Sequence, residues 1–363
     1  MKIYVTGTRG IPGIMGGVET HCENLFPRIA AMGADVTLVR RTSYVQDSLA
    51  RWQGVNLVDV PAPRRKAFEA IVHTFRAVNL AARSKADIIH INAVGPALVV
   101  PYAKLRGLKV VFTHHGPDYD RDKWGRAAKA MLRLGERWGC KYADEVIVIS
   151  EVIQTIVREK YGRTERVHLI PNGVPAPEIC DFPEYFAELG IEKGRYVLGM
   201  SRFVPEKRLH ELVEAFKKSG AKGFKLVLAG DADFEDEYSR RLKADAAAAG
   251  AVLTGFVKGR KLHSLLSGAA LYVLPSSHEG LPIALLEAMS YGLPAVVSDI
   301  PANLEVGLPE GNYFHLGDVE ALARKIDGYA LAGHTEYDMA RYDWGSIAAR
   351  TFEIYRGLCG WQN

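Results

Sequence analysis

The sequence predicts an α/β protein made of two Rossmann-like, doubly wound parallel-sheet domains that face a central cleft. Its length of 363 residues suggests two domains at about 150 residues each. Short β-branched runs alternate with longer stretches of helical apolar spacing, which is typical of parallel β-α-β units. This alternation stops once, in a proline-containing segment after Asn172, and then starts again. Ligands of such sheets bind at the carboxyl ends of the strands.

The first half supplies one domain, residues 1–175. Between most of its strand-like runs, stretches such as 18–32 and 67–83 space apolar residues three and four apart and predict helices. The strand-like runs are 2–6, 35–40, 56–60, 87–91, 109–113, 145–149 and 167–170.

The second half repeats the pattern over residues 176–342. Pro175, Pro177 and Pro183 interrupt segment 172–194, which we interpret as an inter-domain linker followed by a short helix. The strand-like runs that follow are 196–200, 225–229, 251–253, 271–274 and 295–298.

Composition excludes several classes of protein. Apolar residues make up 48% and charged residues 24% of the chain, which excludes wholesale disorder and a coiled coil. The longest uncharged run, 88–103, is too short and too polar to span a bilayer. No signal-peptide pattern follows Met1, so we expect a cytoplasmic protein. The cysteines are far apart and are expected to be reduced thiols; they are Cys22, Cys140, Cys180 and Cys359.

The net charge of +4 hides an asymmetry between the halves. Residues 1–172 carry 26 Lys and Arg against 16 Asp and Glu, whereas the remainder carries 20 against 26. Either the first half meets an anionic partner, or the asymmetry is merely tolerated. Basic residues cluster at 64–66 and between Arg121 and Lys141, where they alternate with apolar ones. The second cluster fits a membrane-surface helix or a packed helix with a solvated basic face. Without a recognition module, nucleic acid ranks last as the partner.

A glycine-rich loop follows the first strand, from Gly7 to Gly17. Glycines allow close approach of backbone to phosphate, and the next helix N-terminus favours anions. A rival interpretation is an NADP-dependent reductase, in which Arg40-Arg41 would hold a 2′-phosphate and Tyr119 with Lys123 would form a catalytic pair. The loop is too long for a simple dinucleotide turn, because the helix can begin only near Gly17. We therefore expect Tyr119 and Lys123 to be solvated loop residues.

The second half carries a stronger constellation. Arg202 and Lys207 follow its first strand, and together the two cations could neutralise a diphosphate leaving group. Glu279 and Glu287 follow a later strand, 271–274. We expect Glu279 at the turn before a helix and Glu287 about two turns inside it, about 12 Å further along. Such carboxylates could accept hydrogen bonds from hydroxyls at opposite ends of one elongated polar ligand. Alternatively, Glu287 merely pairs with a lysine.

In combination these motifs resemble family 4 retaining glycosyltransferases of GT-B fold. Glu279 and Glu287, eight residues apart, look like the family's signature, with 275–276 before them and 292–299 after them. The family's other motifs are matched by Arg202 with Lys207, Gly16-Gly17, His115 and the junction 171–174. The stretches 7–12 and 115–124 are most similar to a subgroup that contains rhamnosyltransferases and polysaccharide-assembly enzymes. Ser201 departs from the family, which commonly has glycine before the arginine.

The resemblance implies sugar transfer from a nucleotide-diphosphate donor with retention of configuration. The acceptor would be a glycan or a lipid-linked oligosaccharide on the cytoplasmic face of the membrane. Residues 343–363 would contain a helix, 344–358, that crosses back to the first domain. The implied site residues are Gly16 and Gly17 at the donor phosphates, Arg202 and Lys207 at the leaving diphosphate, Glu287 at the ribose, Glu279 with Gly280 and Leu281 at the donor sugar, and His115 at the reacting sugar. Only one of His114 and His115 should enter the cleft, because strand neighbours face opposite ways.

No metal and no cofactor is expected. Asp231-Ala232-Asp233 has the form of a D-x-D metal motif, but it follows a strand and a glycine and is better interpreted as a solvated turn. The His and Cys residues show no zinc spacing. Trp124 and Trp138 are expected in core packing, with contact to the acceptor as a second option for Trp124. The remaining alternatives are a nucleotide-sugar epimerase of the same fold, the NADP-dependent reductase and, last, a non-catalytic scaffold.

Overall fold

The computed structural model describes residues 1–14, 16–63, 69–117, 119, 125–232 and 235–360. The chain divides into two compact units. Unit 1 consists of Met1–Gly173 with Arg341–Asn363, and unit 2 is Val174–Ala340. The boundaries predicted from the sequence, after residues 175 and 342, each lie two residues further along the chain.

Unit 1 has an α/β architecture with long central strands. Its strands are β1 (Lys2–Thr6), β2 (Asp35–Arg41), β3 (Arg51–Trp52), β4 (Val55–Val60), β5 (Ile88–Asn92), β6 (Lys109–His114), β7 (Glu145–Val148) and β8 (Val167–Leu169). Its helices are α1 (Gly17–Ala31), α2 (Glu69–Arg83), α3 (Val100–Leu105), α4 (Arg126–Tyr142) and α5 (Glu151–Tyr161), with α13 (Trp344–Cys359) at the end of the chain.

The sheet of unit 1 has the order β3-β4-β2-β1-β5-β6-β7-β8 among the described residues. Its strand pairs are parallel except β3 with β4, which form an antiparallel hairpin. The predicted parallel-sheet architecture is confirmed, and β3 adds one short antiparallel strand at this edge. Gln53 and Gly54 turn the hairpin with positive φ angles of 42° and 87°, as a two-residue hairpin turn requires. The sequence analysis missed β3 because a two-residue strand leaves no alternating pattern to detect.

Helix α13 packs into the core of unit 1. Trp344, Ile347, Ala348 and Tyr355 join a buried cluster with residues of β1 and α1. Gly173 makes this docking feasible, because a Cβ atom there would lie 2.6 Å from the Trp344 indole. The C-terminal helix thus belongs to the core of the first unit, although it follows the second in the chain.

Unit 2 is a smaller parallel α/β unit. Its strands are β9 (Tyr196–Met200), β10 (Lys225–Ala229), β11 (Val252–Gly255), β12 (Leu271–Leu274), β13 (Ala295–Ser298) and β14 (Tyr313–Phe314), in the order β11-β10-β9-β12-β13-β14 among the described residues. Its helices are α6 (Pro183–Leu189), α7 (Leu209–Lys218), α8 (Glu237–Ala248), α9 (Arg260–Gly268), α10 (Ile283–Ser290), α11 (Pro301–Leu304) and α12 (Val319–Tyr329). The sequence analysis missed β14, a strand of two residues.

Each sheet reverses its direction of winding beside its first strand. In unit 1, β1 lies between β2 and β5, and in unit 2, β9 lies between β10 and β12. The loops that leave two such neighbouring strands at their carboxyl ends diverge to opposite faces, and the crevice they leave is where open α/β sheets bind ligands. The fold therefore marks one candidate site edge in each unit.

Within the described residues, no helix is both long enough and apolar enough to cross a bilayer. The four cysteines are free thiols, and Cys22 and Cys140 are buried.

Candidate functional site

The glycine-rich loop at the first site edge is held by Glu19 in the first turn of α1. Its carboxylate accepts hydrogen bonds from the Thr8 hydroxyl (3.2 Å), from the Arg9 backbone N–H (2.9 Å) and from the Arg9 guanidinium (3.2 Å). Burial opposes ionisation of Glu19, but Arg9 outweighs it and lowers the pKa of the carboxyl. These bonds fix Thr8 and Arg9 of the loop without a ligand.

Gly16 has no room for a side chain. Its φ is +148°, and a Cβ atom would lie 2.2 Å from the Glu19 carboxylate and 2.4 Å from the Arg9 guanidinium. The Arg9–Glu19 pair therefore requires a glycine at this position. Gly17 begins α1, as expected from the length of the loop. The first N–H groups of a helix lack intrahelical partners, so this end of α1 can receive an anion.

His115 follows β6 at the same edge. The Asn92 amide donates from Nδ2 to the Thr6 carbonyl (3.2 Å), so its Oδ1 faces Nε2 of His115 at 3.0 Å. The proton of the neutral imidazole is therefore on Nε2, and Nδ1 is a hydrogen-bond acceptor. Burial, followed by the neighbouring His21, His90 and His114, lowers the pKa of His115 well below its usual value. His115 is thus a neutral acceptor at physiological pH.

The ring of His21, in α1, packs against the ring of His115. The two imidazole rings meet edge to face, with centroids 4.8 Å apart. Nδ1 of His21 lies 2.9 Å from Oδ1 of Asn172, and burial lowers the pKa of His21 to about 4. The sequence analysis did not select His21 or Asn92, because neither lies in a recognisable motif.

His114 and His115 have different surroundings. His114 is fully buried, accepts the Gly116 N–H at Nδ1 (3.1 Å) and contacts Oε1 of Glu136 through Nε2 (2.9 Å). His115 is half-buried and contacts Asn92 instead. Of the two, His115 is the ring with an exposed part.

Glu136 is a buried carboxylate in the middle of α4. Besides His114, it accepts from the hydroxyls of Tyr119 (3.0 Å) and Tyr161 and from Nζ of Lys160 (2.8 Å). Burial opposes its ionisation, but these donors lower the pKa of Glu136 to about 2. The only sequence signal was that Glu136 is the one acidic residue in the basic segment 126–142.

The expectation that Tyr119 is a solvated loop residue is wrong. Tyr119 is 5% exposed and donates to Glu136, because that carboxylate draws its hydroxyl into the interior. Its ring also lies against Lys160, 4.6 Å from Nζ to the centroid. Lys123 and Trp124 lie outside the described residues, and Trp138 is half-buried in α4.

The guanidinium of Arg40 has no free N–H donor for a 2′-phosphate. It is 1% exposed, and its guanidinium donates to Asp59 (2.6 Å), to Asp47 (2.8 Å) and to two backbone carbonyls. Arg40 and the buried Tyr119 therefore give no support to the NADP-dependent reductase.

The site edge of unit 2 brings cations and carboxylates together. Arg202 follows β9 and is half-buried, and Lys207 ends the 3-10 helix Pro205–Lys207. Nζ of Lys207 lies 2.5 Å from Oε1 of Glu279, whose side chain is 9% exposed. Since β9 and β12 pair directly, loops distant in sequence meet at this edge.

Two further hydrogen bonds join these loops. The backbone N–H and the hydroxyl of Ser277 both donate to the Glu206 carbonyl, at 2.9 and 3.2 Å. The loop after β12, which carries Glu279, is thereby fixed to the loop after β9, which carries Lys207. Leu281 is buried and Gly280 half-buried beside them.

Glu287 lies nearer the start of its helix than expected. Helix α10 begins at Ile283, so Glu287 is its fifth residue rather than two turns inside. The helix starts late because Pro282 occupies the N-cap with non-helical backbone angles. Glu287 is half-buried, and no described residue forms a hydrogen bond or an ion pair with its carboxylate. Burial raises its pKa to about 7. No lysine of the described part of the chain pairs with this carboxylate, so these residues give the alternative of a simple lysine pair no support.

The D-x-D segment shows no metal geometry in its described part. Asp231 pairs with Lys243 at 2.8 Å, and Asp233 lies outside the described residues. The described residues contain no group of three or more His, Cys, Asp or Glu side chains that could hold a metal ion.

The basic clusters of the first half are partly visible. Residues 64–66 and Arg121 lie outside the described part of the chain. Arg126, Arg133, Arg137 and Lys141 are exposed and Lys129 is half-buried on α4, whose buried side is lined by Gly135, Glu136, Gly139 and Cys140.

Comparison with known proteins identifies each half of the chain separately. A family model described as Glycosyltransferase Family 4 matches residues 15–176. A second, described as Glycosyl transferases group 1, matches residues 181–342. The two matches follow each other without overlap and span nearly the whole chain.

Curated relatives cover most of the chain at low identity. A UDP-Gal:alpha-D-GlcNAc-diphosphoundecaprenol alpha-1,3-galactosyltransferase from Escherichia coli is 28% identical, over 91% of this chain and 89% of that protein. A GDP-mannose:cellobiosyl-diphosphopolyprenol alpha-mannosyltransferase from Xanthomonas campestris is 26% identical, over 77% of each.

Solved structures share the fold over the full length. A sucrose-phosphate synthase from Thermosynechococcus elongatus gives a TM-score of 0.84 at 22% identity, covering 99% of this chain and 100% of that one. HepE from Anabaena, in complex with UDP and glucose, gives 0.78 at 21% identity, covering 98% and 100%. This likeness confirms the GT-B fold.

Proposed function

The chain belongs to the family 4 glycosyltransferases of GT-B fold, and we propose that it moves a sugar from a nucleotide-diphosphate donor to an oligosaccharide or lipid-linked acceptor with retention of configuration. The product would contribute to a surface polysaccharide or a related glycan. The donor sugar would be a hexose or rhamnose.

One observation carries this proposal: the site edge of unit 2 holds an ion pair, Lys207–Glu279, and the carboxylate of Glu287, which has no partner among the described residues and a pKa of about 7. Keeping a half-buried carboxylate without a partner costs stability, so its presence needs a compensating role. A ligand that offers both negative phosphates and hydroxyl donors fits this set, because the cations take the phosphates and the carboxylates accept from the hydroxyls.

Each charged group then has a task in the donor site. Arg202 and Lys207 stabilise the charge that develops on the diphosphate as it leaves. Glu287 accepts from the ribose hydroxyls. Glu279, held by Lys207, accepts from hydroxyls of the donor sugar, next to the backbone of Gly280 and Leu281. As the bond from the anomeric carbon to the phosphate oxygen breaks, that oxygen takes the proton of the acceptor hydroxyl, and the new glycosidic bond forms on the same face.

Unit 1 contributes neutral groups. The bare Nδ1 of His115 can accept from a hydroxyl of the reacting sugar, and its hydrogen bond to Asn92 orients the ring. Gly16 and Gly17 offer backbone at the start of α1, where the helix dipole favours a phosphate.

Calorimetric titration with nucleotide diphosphates, followed by a hydrolysis screen over UDP-, GDP- and dTDP-sugars, tests the proposal. We expect one nucleotide diphosphate to bind and its sugar conjugate to be hydrolysed slowly without acceptor. NADP serves as the control, because Arg40 is already occupied by Asp47 and Asp59. Binding of NADP and of no nucleotide diphosphate would overturn the proposal, and release of an epimerised free sugar would favour the epimerase. NMR of the transferred anomeric centre then tests retention.

The reaction should need no divalent cation, since Arg202 and Lys207 supply the positive charge. Activity should therefore persist in excess EDTA. If EDTA abolishes activity and only Mn²⁺ or Mg²⁺ restores it, Asp231 and Asp233 become candidates for metal binding again.

The enzyme would work in the cytoplasm, at the inner face of the cell membrane. The exposed cations of α4 support this, since they can meet anionic lipid. Replacement of Arg126, Lys129 and Arg133 by Gln should weaken co-sedimentation with anionic vesicles at low salt and leave donor hydrolysis intact. If the native protein shows no binding to such vesicles, this peripheral location is wrong.

A further inference from the structure

An open groove of about 580 Å³ runs along one flank of α2 in unit 1. Its lining is predominantly apolar and comes from the outer part of β4 and from one helical face. The lining residues are Val58, Val60, Ile71, Val72, Phe75, Arg76, Asn79, Leu80 and Arg83. Phe75 remains 45% exposed despite its size. A soluble enzyme seldom leaves such a surface uncovered without a ligand for it.

The groove lies beside an unpaired edge of the sheet. Strand β2 pairs with one side of Val58–Val60. On the other side, strand β3 pairs only with Val55 and Asn56 of β4, so the described residues place no strand along that side of Val58–Val60. Among the described residues the groove is open on this side. From Ile71 to Arg83 it follows α2 for about 18 Å, at about 1.5 Å per residue. An extended aliphatic chain matches this elongated shape better than a compact ligand does.

The end of the groove nearest the first site edge carries a positive charge. Pro61 follows the carboxyl end of β4, and its carbonyl accepts from the Arg76 guanidinium at 2.5 Å. Arg76 is exposed, and no described carboxylate pairs with it. The hydrogen bond therefore holds an uncompensated cation where the apolar groove reaches the carboxyl edge of the sheet.

This end of the groove is connected to the glycine-rich loop. Glu69, in the first turn of α2, accepts from the hydroxyls of Ser43 (3.0 Å) and Tyr44 (3.3 Å). The Arg9 guanidinium lies 5.4 Å from the centre of the Tyr44 ring and also binds Glu19. A ligand that enters along α2 with its polar head at Arg76 therefore arrives next to the loop of the first site edge.

We propose that the α2 groove binds the prenyl chain of a lipid-linked acceptor and that Arg76 binds the first phosphate of its diphosphate. This inference rests on the lipid-linked acceptor proposed above and adds where the lipid is held. Both similar transferases described above are named for diphosphopolyprenol acceptors, a chemistry that combines an apolar chain with a diphosphate. An apolar groove that carries Arg76 where it reaches the carboxyl edge of the sheet is complementary to that combination.

Calorimetry with the full-length protein and geranylgeranyl diphosphate tests the groove directly. Inorganic diphosphate and geranylgeraniol supply the head and the chain alone, and each should bind at least tenfold more weakly than the intact lipid. The double variant Val72→Ser/Phe75→Ser should weaken lipid binding at least tenfold, and Arg76→Gln should weaken it by a similar factor. Leu331→Ser is the apolar control, at a side chain 76% exposed in unit 2, and Arg158→Gln is the cationic control. Both controls should bind as the native protein does.

The outcomes separate this inference from the proposed function. Equal affinity for the lipid in the double variant and in Leu331→Ser would overturn the groove assignment. The groove assignment would also be overturned if the native protein bound vesicles of phosphatidylcholine with phosphatidylglycerol but did not bind geranylgeranyl diphosphate. Donor hydrolysis should be unchanged in all these variants, because the residues lie outside the donor site. If no nucleotide sugar is hydrolysed by the native protein while the lipid binds, the proposed function fails and the groove stands.

Discussion

The two site edges of this protein lie at equivalent places in two similar sheets, yet they differ in how their charged groups are paired. In unit 1 the charged carboxylate already has its partners: Glu19 accepts from Thr8 and Arg9, and His115 is neutral and bound to Asn92. In unit 2 charge remains available. Lys207 and Glu279 form an ion pair at the site edge, and Glu287 has no partner among the described residues.

This difference indicates which edge has the stronger need for a ligand. A network that is satisfied by itself is rigid and can position a neutral sugar without reorganising. An unpaired carboxylate with a pKa of about 7 destabilises the free protein and gains partners only when a ligand binds. We therefore expect substitutions in unit 2 to affect binding and turnover, and substitutions around the network of unit 1 to affect stability first.

The largest expected effect is on turnover in unit 2. Arg202→Ala and Lys207→Ala should each lower kcat by about 100-fold or more, in the range seen when one transition-state stabiliser is removed. Steady-state kinetics and thermal unfolding are measured on the same preparations, with Lys193→Ala as an exposed control outside the site. Full turnover in either variant would exclude that residue from the mechanism.

The next effect is on the stability of unit 1. Glu136→Gln keeps the shape of the side chain but points an amide at donors, and it should lower the free energy of unfolding by about 2 kcal/mol. Because the folded pKa of Glu136 is about 2, below the usual 4.5, its stabilisation is present above about pH 4.5 and is lost as the pH falls towards 2. The variant should lose this pH dependence.

Chemical denaturation at pH 7 and pH 3 measures both parts of that prediction. Glu159→Gln, an exposed change in α5, is the matched control. Equal stability of Glu136→Gln and the native protein at pH 7 would mean that the buried network contributes nothing.

A smaller effect concerns the pH dependence of donor binding. If the ribose hydroxyls donate to ionised Glu287, nucleotide diphosphate affinity should fall about tenfold between pH 8 and pH 6, as a group with a pKa of about 7 takes up its proton. Calorimetry on the native protein and on Glu287→Gln isolates this contribution, because titration of the ligand phosphate is common to both. Identical pH profiles would show that Glu287 does not bind the ligand in its charged form.

The smallest expected effect tests the cost of keeping Glu287 unpaired. In the unfolded chain a glutamate ionises near 4.5, but in the folded protein Glu287 holds its proton until about pH 7. The contribution of Glu287 to the free energy of unfolding therefore falls as the pH rises from 4.5 to 7, and it stays low above pH 7. Glu287→Gln should therefore be more stable than the native protein at pH 8 and equal to it at pH 4. Lower stability of the variant at pH 8 would contradict the contrast between the two edges.

The strands and the glycine-rich loop could be predicted from the sequence because they depend on local interactions. β-Branched runs of four or more residues become central strands wherever helices cover both faces, and the restart after Asn172 gave the second sheet. Short elements such as β3 and β14 carry too few residues for a pattern, and they exist only because a neighbouring strand offers an edge. Tyr119 was misjudged for a related reason: its flanking sequence is polar, but Glu136, from a helix further along the chain, buries it.

By itself, the sequence determined that two parallel α/β units would form and that Arg202, Lys207, Glu279, Glu287 and His115 follow strands, since hydrophobic period and strand order place such residues at a carboxyl edge. The tertiary structure alone decided their chemical state. It fixed His115 as a neutral acceptor through Asn92, joined Lys207 to Glu279 and used Arg40 in structural ion pairs. It also left the Glu287 carboxylate without a partner in the part of the chain that the structure describes. Protonation and pairing depend on which groups are brought within about 3 Å and how far water is excluded, and neither is encoded in local sequence.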